Sequence, residues 1–475
     1  MANQAPHVEG ASPLTGRTEP WMEDLLADPA QCAALIREHG SPVNVLNLAP
    51  LARNSAELTD AASDEGVRLG VYVARKANKT HAVVKQAAAA GLGIDVSSLA
   101  ELRQCLDLGA AASRLIVTAA VKSGALLSEA VTAGALVSVD NADELADIVA
   151  VASHTGVTAR VAPRMASADS RIPPTRFGLT PSAWDRALEG LPASVRLEGI
   201  HFHLNGYSAA ERAVMLREAL AWTDHLRESG HPIAFIDMGG GVPMSYLDDR
   251  AQWRAFWERL DTDAHGTLTW RGDRLGMTDP CAERPSASVY PYWQRHVRGA
   301  WLRDVLRSHT PEGTTVAEEI ASRDLELRVE PGRSLLDGCG MTLASVAFRK
   351  ASSDGIGLVG LHMNRTQVRS TSADFMVDPR WVRPADAGPP SPALEGFLVG
   401  AYCVEEELLL RRRLLFPDGV ARGDIAAFVN TAGYLMHILE SASHQLPLAV
   451  NVVRDEGGWV RDGIDGPAGS GTPTG

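Results

Sequence analysis

The chain has 475 residues, 45% of them hydrophobic and 22% charged, and its 58 acidic against 45 basic side chains give a formal charge of −13. That length and apolar content suffice for two or three packed domains, while the negative balance argues against nucleic acid or an anionic membrane as the main partner and leaves small molecules. Five cysteines (Cys32, Cys105, Cys281, Cys339 and Cys403) are widely spaced without a CxxC pair, which gives no zinc framework and suits a reducing compartment, so the expected location is the cytoplasm.

Residues 1–40 read as an N-terminal arm. Pro6, Gly10, Pro13, Gly16 and Pro20 break up its first half, which lacks the basic start and apolar core of a signal peptide. A short strand, Ser41–Asn47, follows and is free to join either the next domain or a later one. From Val67 to Glu330 short apolar runs alternate with Ala/Leu-rich amphipathic segments, the pattern of βα units around a parallel sheet. The predicted strands are Val67–Val73, Gly93–Val96, Leu115–Val117, Leu136–Val139, Ala159–Val161, Leu197–Leu204, Ile233–Met238 and Leu325–Glu330. Helices predicted at His81–Ala90, Leu99–Leu108, Ala142–Ala152 and Ala209–Glu228 fall between them. The fold class is therefore α/β, an eight-stranded parallel (β/α) barrel over residues 41–340, with its site at the C-terminal ends of the strands.

The interval between Gly241 and Glu330 is too long for a simple crossover, so an insertion is expected at about 243–324. It holds Trp253, Trp257, Trp270, Trp293, Trp301 and Tyr290-Pro291-Tyr292, read either as a cover for the barrel face or as staples of an extra helical subdomain. Beyond residue 340 strand-like segments separated by Gly/Pro/Asp turns predict a C-terminal β domain over 341–463. The Gly/Pro/Ser/Thr-rich stretch 464–475 reads as a disordered tail. No apolar run reaches the ~20 residues of a membrane helix.

The chemistry-bearing residues fall at the predicted strand ends. Lys76 stands just after the first, where a lysine beside a cation or an apolar wall has the lowered pKa that lets it form a Schiff base with an aldehyde cofactor. A surface lysine is the plainer reading of Lys76 alone. Alternation puts His201 and His203 on one face of the sixth strand; read alone they are two metal ligands or two core histidines, and with no third ligand at a helpful spacing no metal is expected. Gly239-Gly240-Gly241 offers bare N–H groups to a phosphate or simply makes a tight turn. Glu330 and Arg333, in Glu330-Pro331-Gly332-Arg333, close the series; taken alone they read as a structural ion-pair partner and a solvated cation.

Taken in order, these pieces resemble the fold-type III pyridoxal-phosphate (PLP) decarboxylases, the family of diaminopimelate, ornithine and arginine decarboxylases built on an alanine racemase-type barrel. The resemblance runs from about Pro42 to Val453 and rests on Lys76-Ala77-Asn78, Gly93-Ile94-Asp95-Val96-Ser97-Ser98 with Glu101, Arg176-Phe177-Gly178, Gly199-Ile200-His201-Phe202-His203, the glycine triplet and Glu330-Pro331-Gly332-Arg333. It extends to Gly400-Ala401-Tyr402-Cys403 and Thr431-Ala432-Gly433-Tyr434. It implies PLP as cofactor, with Lys76 holding it as a Schiff base, His203 stacked on its ring and Glu330 on the ring nitrogen. Gly239, Gly240, Gly241, Gly332, Arg333, Tyr434 and Asn205 would line the phosphate and substrate side. It further implies that Cys403 of the partner subunit protonates a quinonoid intermediate, hence a homodimer with shared sites and L-amino acid decarboxylation as the reaction.

A racemase, epimerase or carbon–carbon lyase on the same barrel is the first alternative, although racemases place an arginine where Glu330 stands; a non-catalytic regulatory homologue is the second. Departures from the family pattern concern the substrate. Cys403 is followed by Val404 rather than an acid, which disfavours diamino substrates, since a buried ammonium would lack its partner. Glu405 is the substitute acid, unless Glu405-Glu406-Glu407 and Arg411-Arg412-Arg413 start a solvated helix. Asn205-Gly206 replaces the family's Gly-Ser, removing a hydroxyl from the phosphate region that Tyr207 or Ser208 would have to replace. Arg369, ahead of Arg365, is the candidate for a distal anion of the substrate, the resemblance also puts Arg333 among the substrate-binding residues, and Ser443-His444-Gln445 replaces the family's Tyr-Asn-Ser.

Overall fold

Short buried strands, such as Arg68–Ala74 and Leu115–Val117, alternate with capped helices in the computed structural model, which describes residues 6–309, 313–370 and 375–466. Polar side chains start the helices: Ser98, Ser123, Asn141 and Ser208 each accept a backbone N–H of the first turn. Gly134 and Gly156 end two of them in the left-handed conformation that glycine adopts without a Cβ clash. The chain divides into two units, one of residues 52–243 and 296–335, the other of residues 1–51, 244–295 and 336–475.

The first unit is the barrel. Its parallel strands are Arg68–Ala74, Gly93–Val96, Leu115–Val117, Leu136–Val139, Ala159–Pro163, the split pair Val195–Leu197 and Gly199–His201, Phe235–Asp237 and Glu326–Val329. The sixth position is two short strands because Glu198 interrupts it: the first half pairs back to Ala159–Val161 and the second pairs forward to Phe235–Asp237. A bridge between Arg164 and His201 bonds the fifth position to the sixth, and Val71 pairs with Val329 to join the eighth to the first. Tyr72, Ile116, Leu136, Ala162 and Phe235 form one buried cluster of this unit.

The second unit is built on a ten-stranded sheet ordered Glu9–Gly10, Leu414–Phe416, Leu394–Val399, Gly357–Leu361, Gly340–Ala351, Val43–Leu46, Val450–Asp455 and Gly458–Arg461, with Ile425–Val429 and Arg380–Val382 branching from Gly340–Ala351. The early strand belongs here, antiparallel to Gly340–Leu343 and parallel to Val450–Val453.

Several boundaries differ from the sequence expectations. The arm is ordered from residue 6: Glu9–Gly10 pairs with Leu414–Leu415, and Pro20–Leu26 and Pro29–His39 are helices that start on proline. The stretch expected as an insertion divides, with residues 244–295 grouping with the β-rich unit and 296–335 with the barrel. Its aromatics pack as staples, Trp253 edge-on to Trp257 and tilted against Tyr292. The acidic and basic triplets form no helix; Glu407 is buried, and Arg412 is buried against Asp378 at 2.8 Å. The expected tail begins as a turn, Gly463–Asp465, whose Asp465 carboxylate accepts the Asn451 N–H; residues 467–475 lie outside the described residues. No helix among the described residues is long and apolar enough to cross a membrane.

Candidate active site

Lys76 sits in a one-turn helix, Arg75–Ala77, directly after the first barrel strand. The buried Arg75 guanidinium anchors that turn by donating to the carbonyls of Asn78 and Lys79 and to the Gln104 side chain. The next strand places Asp95 opposite Ala74, where its Oδ2 accepts from Lys76 Nζ and its Oδ1 from the Thr118 hydroxyl. Burial pushes the Asp95 carboxyl up, but Lys76 and Thr118 outweigh it and leave the group below the usual carboxylate range. Lys76 is about one third exposed, its side chain at 36% against 0% for Asp95.

Glu330 follows the eighth strand, and because that strand pairs with the first, Glu330 and Lys76 emerge at the same end of the barrel. Glu330 Oε1 is buried without a hydrogen-bond partner and lies 3.7 Å from His201 Nε2, which has none either. Arg164 Nε donates to His201 Nδ1 and to Ser138 Oγ at 3.3 Å each, Ser138 Oγ lies 2.5 Å from the same ring nitrogen, and Arg164 Nη1 holds Asp140 at 2.9 Å. A guanidinium can only donate, so Nδ1 accepts and the proton of neutral His201 sits on Nε2, facing Glu330. Burial, reinforced by the Arg164 charge, lowers His201 to about 3.

Asp237 completes this cluster, with Oδ1 accepting the Gly239 N–H and Oδ2 unpartnered. Burial, then Glu330, pushes Asp237 up to about 7, and burial, then Asp95, pushes Glu330 up to about 8. Facing atoms of His201, Asp237 and Glu330 lie within 4.8 Å of one another. Sequence spacing offers no third ligand to the two histidines; the barrel instead gives His201 two carboxyl neighbours.

His203 stands two residues beyond His201, its ring edge-on to Phe177 at 6.0 Å, with Phe177 under the guanidinium of Arg176 at 4.1 Å. Burial, then the Lys76 charge, lowers His203 to about 3, so it is a neutral ring. Gly239 and Gly241 take φ of +66° and +81°, the left-handed region that glycine adopts freely. A Cβ at Gly239 would stand 2.7 Å from the Phe202 carbonyl and 3.0 Å from His203 Nδ1, so that position takes no side chain beside the ring, and one at Gly240 would stand a tight 3.1 Å from the Glu330 carbonyl. Gly332 is buried and Arg333 half-buried in the same unit, while Asn205 is exposed.

The remaining predicted residues belong to the β-rich unit. Cys403 is a free, exposed thiol, and Val404 after it is 48% exposed. Glu405 is exposed, 3.9 Å from Arg271. Arg365 is engaged by Glu407, which accepts its backbone N–H at 2.8 Å, whereas Arg369 and Tyr434 are half-buried. Tyr402 and His444 stack at 5.0 Å. Sequence reading missed Arg164, Asp237 as a titrating neighbour of Glu330, and Asp95 as the partner of Lys76. The signal for Asp95 is its place opposite the residue that ends the lysine strand; a single arginine such as Arg164 carries none.

A family model described as "Pyridoxal-dependent decarboxylase, pyridoxal binding domain" matches residues 53–262. The uncharacterized protein y4yA of Sinorhizobium fredii is 32% identical over 418 residues, covering 86% of this chain and 87% of that protein. Diaminopimelate decarboxylase of Zymomonas mobilis is 23% identical over 437 residues, covering 88% of each. The crystal structure of diaminopimelate decarboxylase from M. jannaschii in co-complex with L-lysine has the same fold, with a TM-score of 0.69, 17% identity and 90% of each chain covered.

Proposed function

The chain belongs to the fold-type III PLP-dependent decarboxylases, and we propose that it removes the α-carboxylate of an L-amino acid that carries no distal amine. The observation that carries this reading is the orphaned Oε1 of Glu330, a buried carboxyl oxygen at the same end of the barrel as Lys76. A buried polar atom without a partner is costly, and the protonated ring nitrogen of a pyridine is the donor that would satisfy it.

PLP, when bound, supplies an electron sink for the pair left behind when a Cα–carboxylate bond breaks. Lys76 Nζ is the amine that would hold the aldehyde carbon, and Asp95 positions it. Glu330 would keep a proton on the ring nitrogen, its own charge favoured once that donor is in place. Being neutral, His203 offers a ring face that does not compete for the sink. The backbone of Gly239–Gly241 would approach the phosphate group, with Arg333 and Tyr434 on the phosphate and substrate side. Cys403 of the partner subunit would return a proton to Cα, which makes a homodimer the working form.

Val404, where the family carries an acid, supports a substrate without a distal ammonium, and Arg369 supports one with a distal anion. An amino-acid screen on the purified holoenzyme, following CO₂ release against loss of optical rotation, tests the reading: stoichiometric CO₂ supports it, and loss of rotation without CO₂ replaces it with a racemase.

A further inference from the structure

Arg212 is fully buried in the first turn of Ala209–Glu228, yet no carboxylate pairs with it among the described residues. Its Nη2 donates to the carbonyls of Leu204, Gly206 and Gly240 at 3.1, 2.9 and 3.2 Å. Its Nε and Nη1 have no partner. The Trp301 ring covers the guanidinium at 5.6 Å, and that indole N–H is fixed by the Tyr207 carbonyl. Burial lowers Arg212 to about 10, which leaves it charged at neutral pH.

A buried cation with unused donors is unfavourable unless an anion completes it. The neighbouring backbone indicates where that anion would sit. Gly239 and Gly240 pack against the His203 ring, and a Cβ at Gly241 would collide with Arg212 Nη2. The glycine triplet thus runs from the ring that would stack on the cofactor to the guanidinium. The hydroxyl that the family's Gly-Ser would supply is absent, because Asn205-Gly206 stands there, and Ser208 Oγ is used as the helix cap for the Glu211 N–H.

We infer that Arg212 grips the phosphate group of the cofactor, a buried guanidinium standing in for the missing serine hydroxyl beside the glycine triplet. This rests on PLP binding as proposed above. Guanidinium–phosphate contacts are charge-assisted, and their geometry is specific to the fork.

The test compares dissociation constants of PLP and of pyridoxal, which lacks the phosphate, on the apo full-length chain by the visible absorbance of the bound aldehyde. For Arg212→Met the expected result is PLP binding weakened about 10- to 100-fold with pyridoxal binding unchanged, and Arg212→Lys intermediate. In the wild type, millimolar inorganic phosphate should strengthen pyridoxal binding, an effect reduced in Arg212→Lys and absent in Arg212→Met. Equal weakening of both ligands would assign Arg212 a purely structural role and overturn the inference, as would no change in either. If Arg212→Met does not fold, Arg212→Lys and the phosphate effect on the wild type decide by the same criteria. A wild-type chain that binds neither ligand would sink the cofactor reading itself, a different failure.

Discussion

Glu330 Oε1 and His201 Nε2 face each other at 3.7 Å in the barrel, both buried and both without a hydrogen bond. The pair is oriented from behind, because Arg164 fixes the imidazole tautomer and Asp140 fixes Arg164. An imidazole held this way from behind, facing an unpartnered carboxyl oxygen, is preorganised for a further polar group.

Glu330→Gln keeps the shape but removes the charge that would hold a ring proton. Its decarboxylation kcat is expected to fall about 10²- to 10³-fold, with PLP affinity changed less than kcat. Steady-state CO₂ release together with a PLP titration separates the two; equal loss in both would mean that Glu330 only shapes the pocket.

Apo-protein stability should depend on pH through the same cluster. Asp237 and Glu330 are raised to about 7 and about 8, so what they contribute is fully present below the ordinary carboxyl range and is lost as pH rises through those values. His201 and His203, lowered to about 3, act oppositely: their contribution is present above about 6.5 and lost as pH falls toward 3. Between pH 6.5 and 8 only the carboxyls act, and the melting temperature of the apo-protein should decline there, each group adding at most about 1.4 kcal/mol per pH unit. Asp237→Asn should flatten the decline. An unchanged slope would show that Asp237 does not titrate in that range, and a flat wild-type profile would show that neither acid does.

Removing the lysine's carboxylate partner should also be measurable. Asp95→Asn leaves Thr118 and Lys76 with a poorer acceptor, and a loss of about 1–3 kcal/mol is expected, toward the lower end because Lys76 is partly exposed. A lower melting temperature of the apo-protein checks it; a stabilised variant would contradict the pairing.

If active sites are shared between subunits, two inactive variants should complement. Lys76→Ala and Cys403→Ala mixed by co-expression give one intact site per heterodimer, so activity should recover to about a quarter of wild type under random pairing. Recovery near zero would place both residues of a working site on one chain.

Substrate choice follows Val404. Acidic or bulky L-amino acids should perturb the bound cofactor's absorbance before lysine or ornithine does, and Val404→Glu should raise turnover of the diamines. Strong turnover of lysine by the unaltered enzyme would show that another acid has taken over.

Much of this was legible in the sequence because period and punctuation are local. The barrel strands stand where short apolar runs meet caps, and Lys76, His203, Glu330 and the glycine triplet fall at their ends. Glu9–Gly10 and Leu414–Phe416 escaped notice because pairing across some four hundred residues leaves no local period. Glu407 and Arg412 read as solvated charges, since sequence shows a charge but not the buried partner that satisfies it. Arg164 and Arg212 were invisible for the same reason: their significance lies in what surrounds them.

The proposed chemistry begins with Lys76 carrying the aldehyde of PLP. Borohydride reduction of the protein with PLP, followed by peptide mass mapping, should fix a phosphopyridoxyl group on Lys76 and leave Lys76→Ala unlabelled. A wild-type protein with no label, or with its label on another lysine, would remove Lys76 from that role.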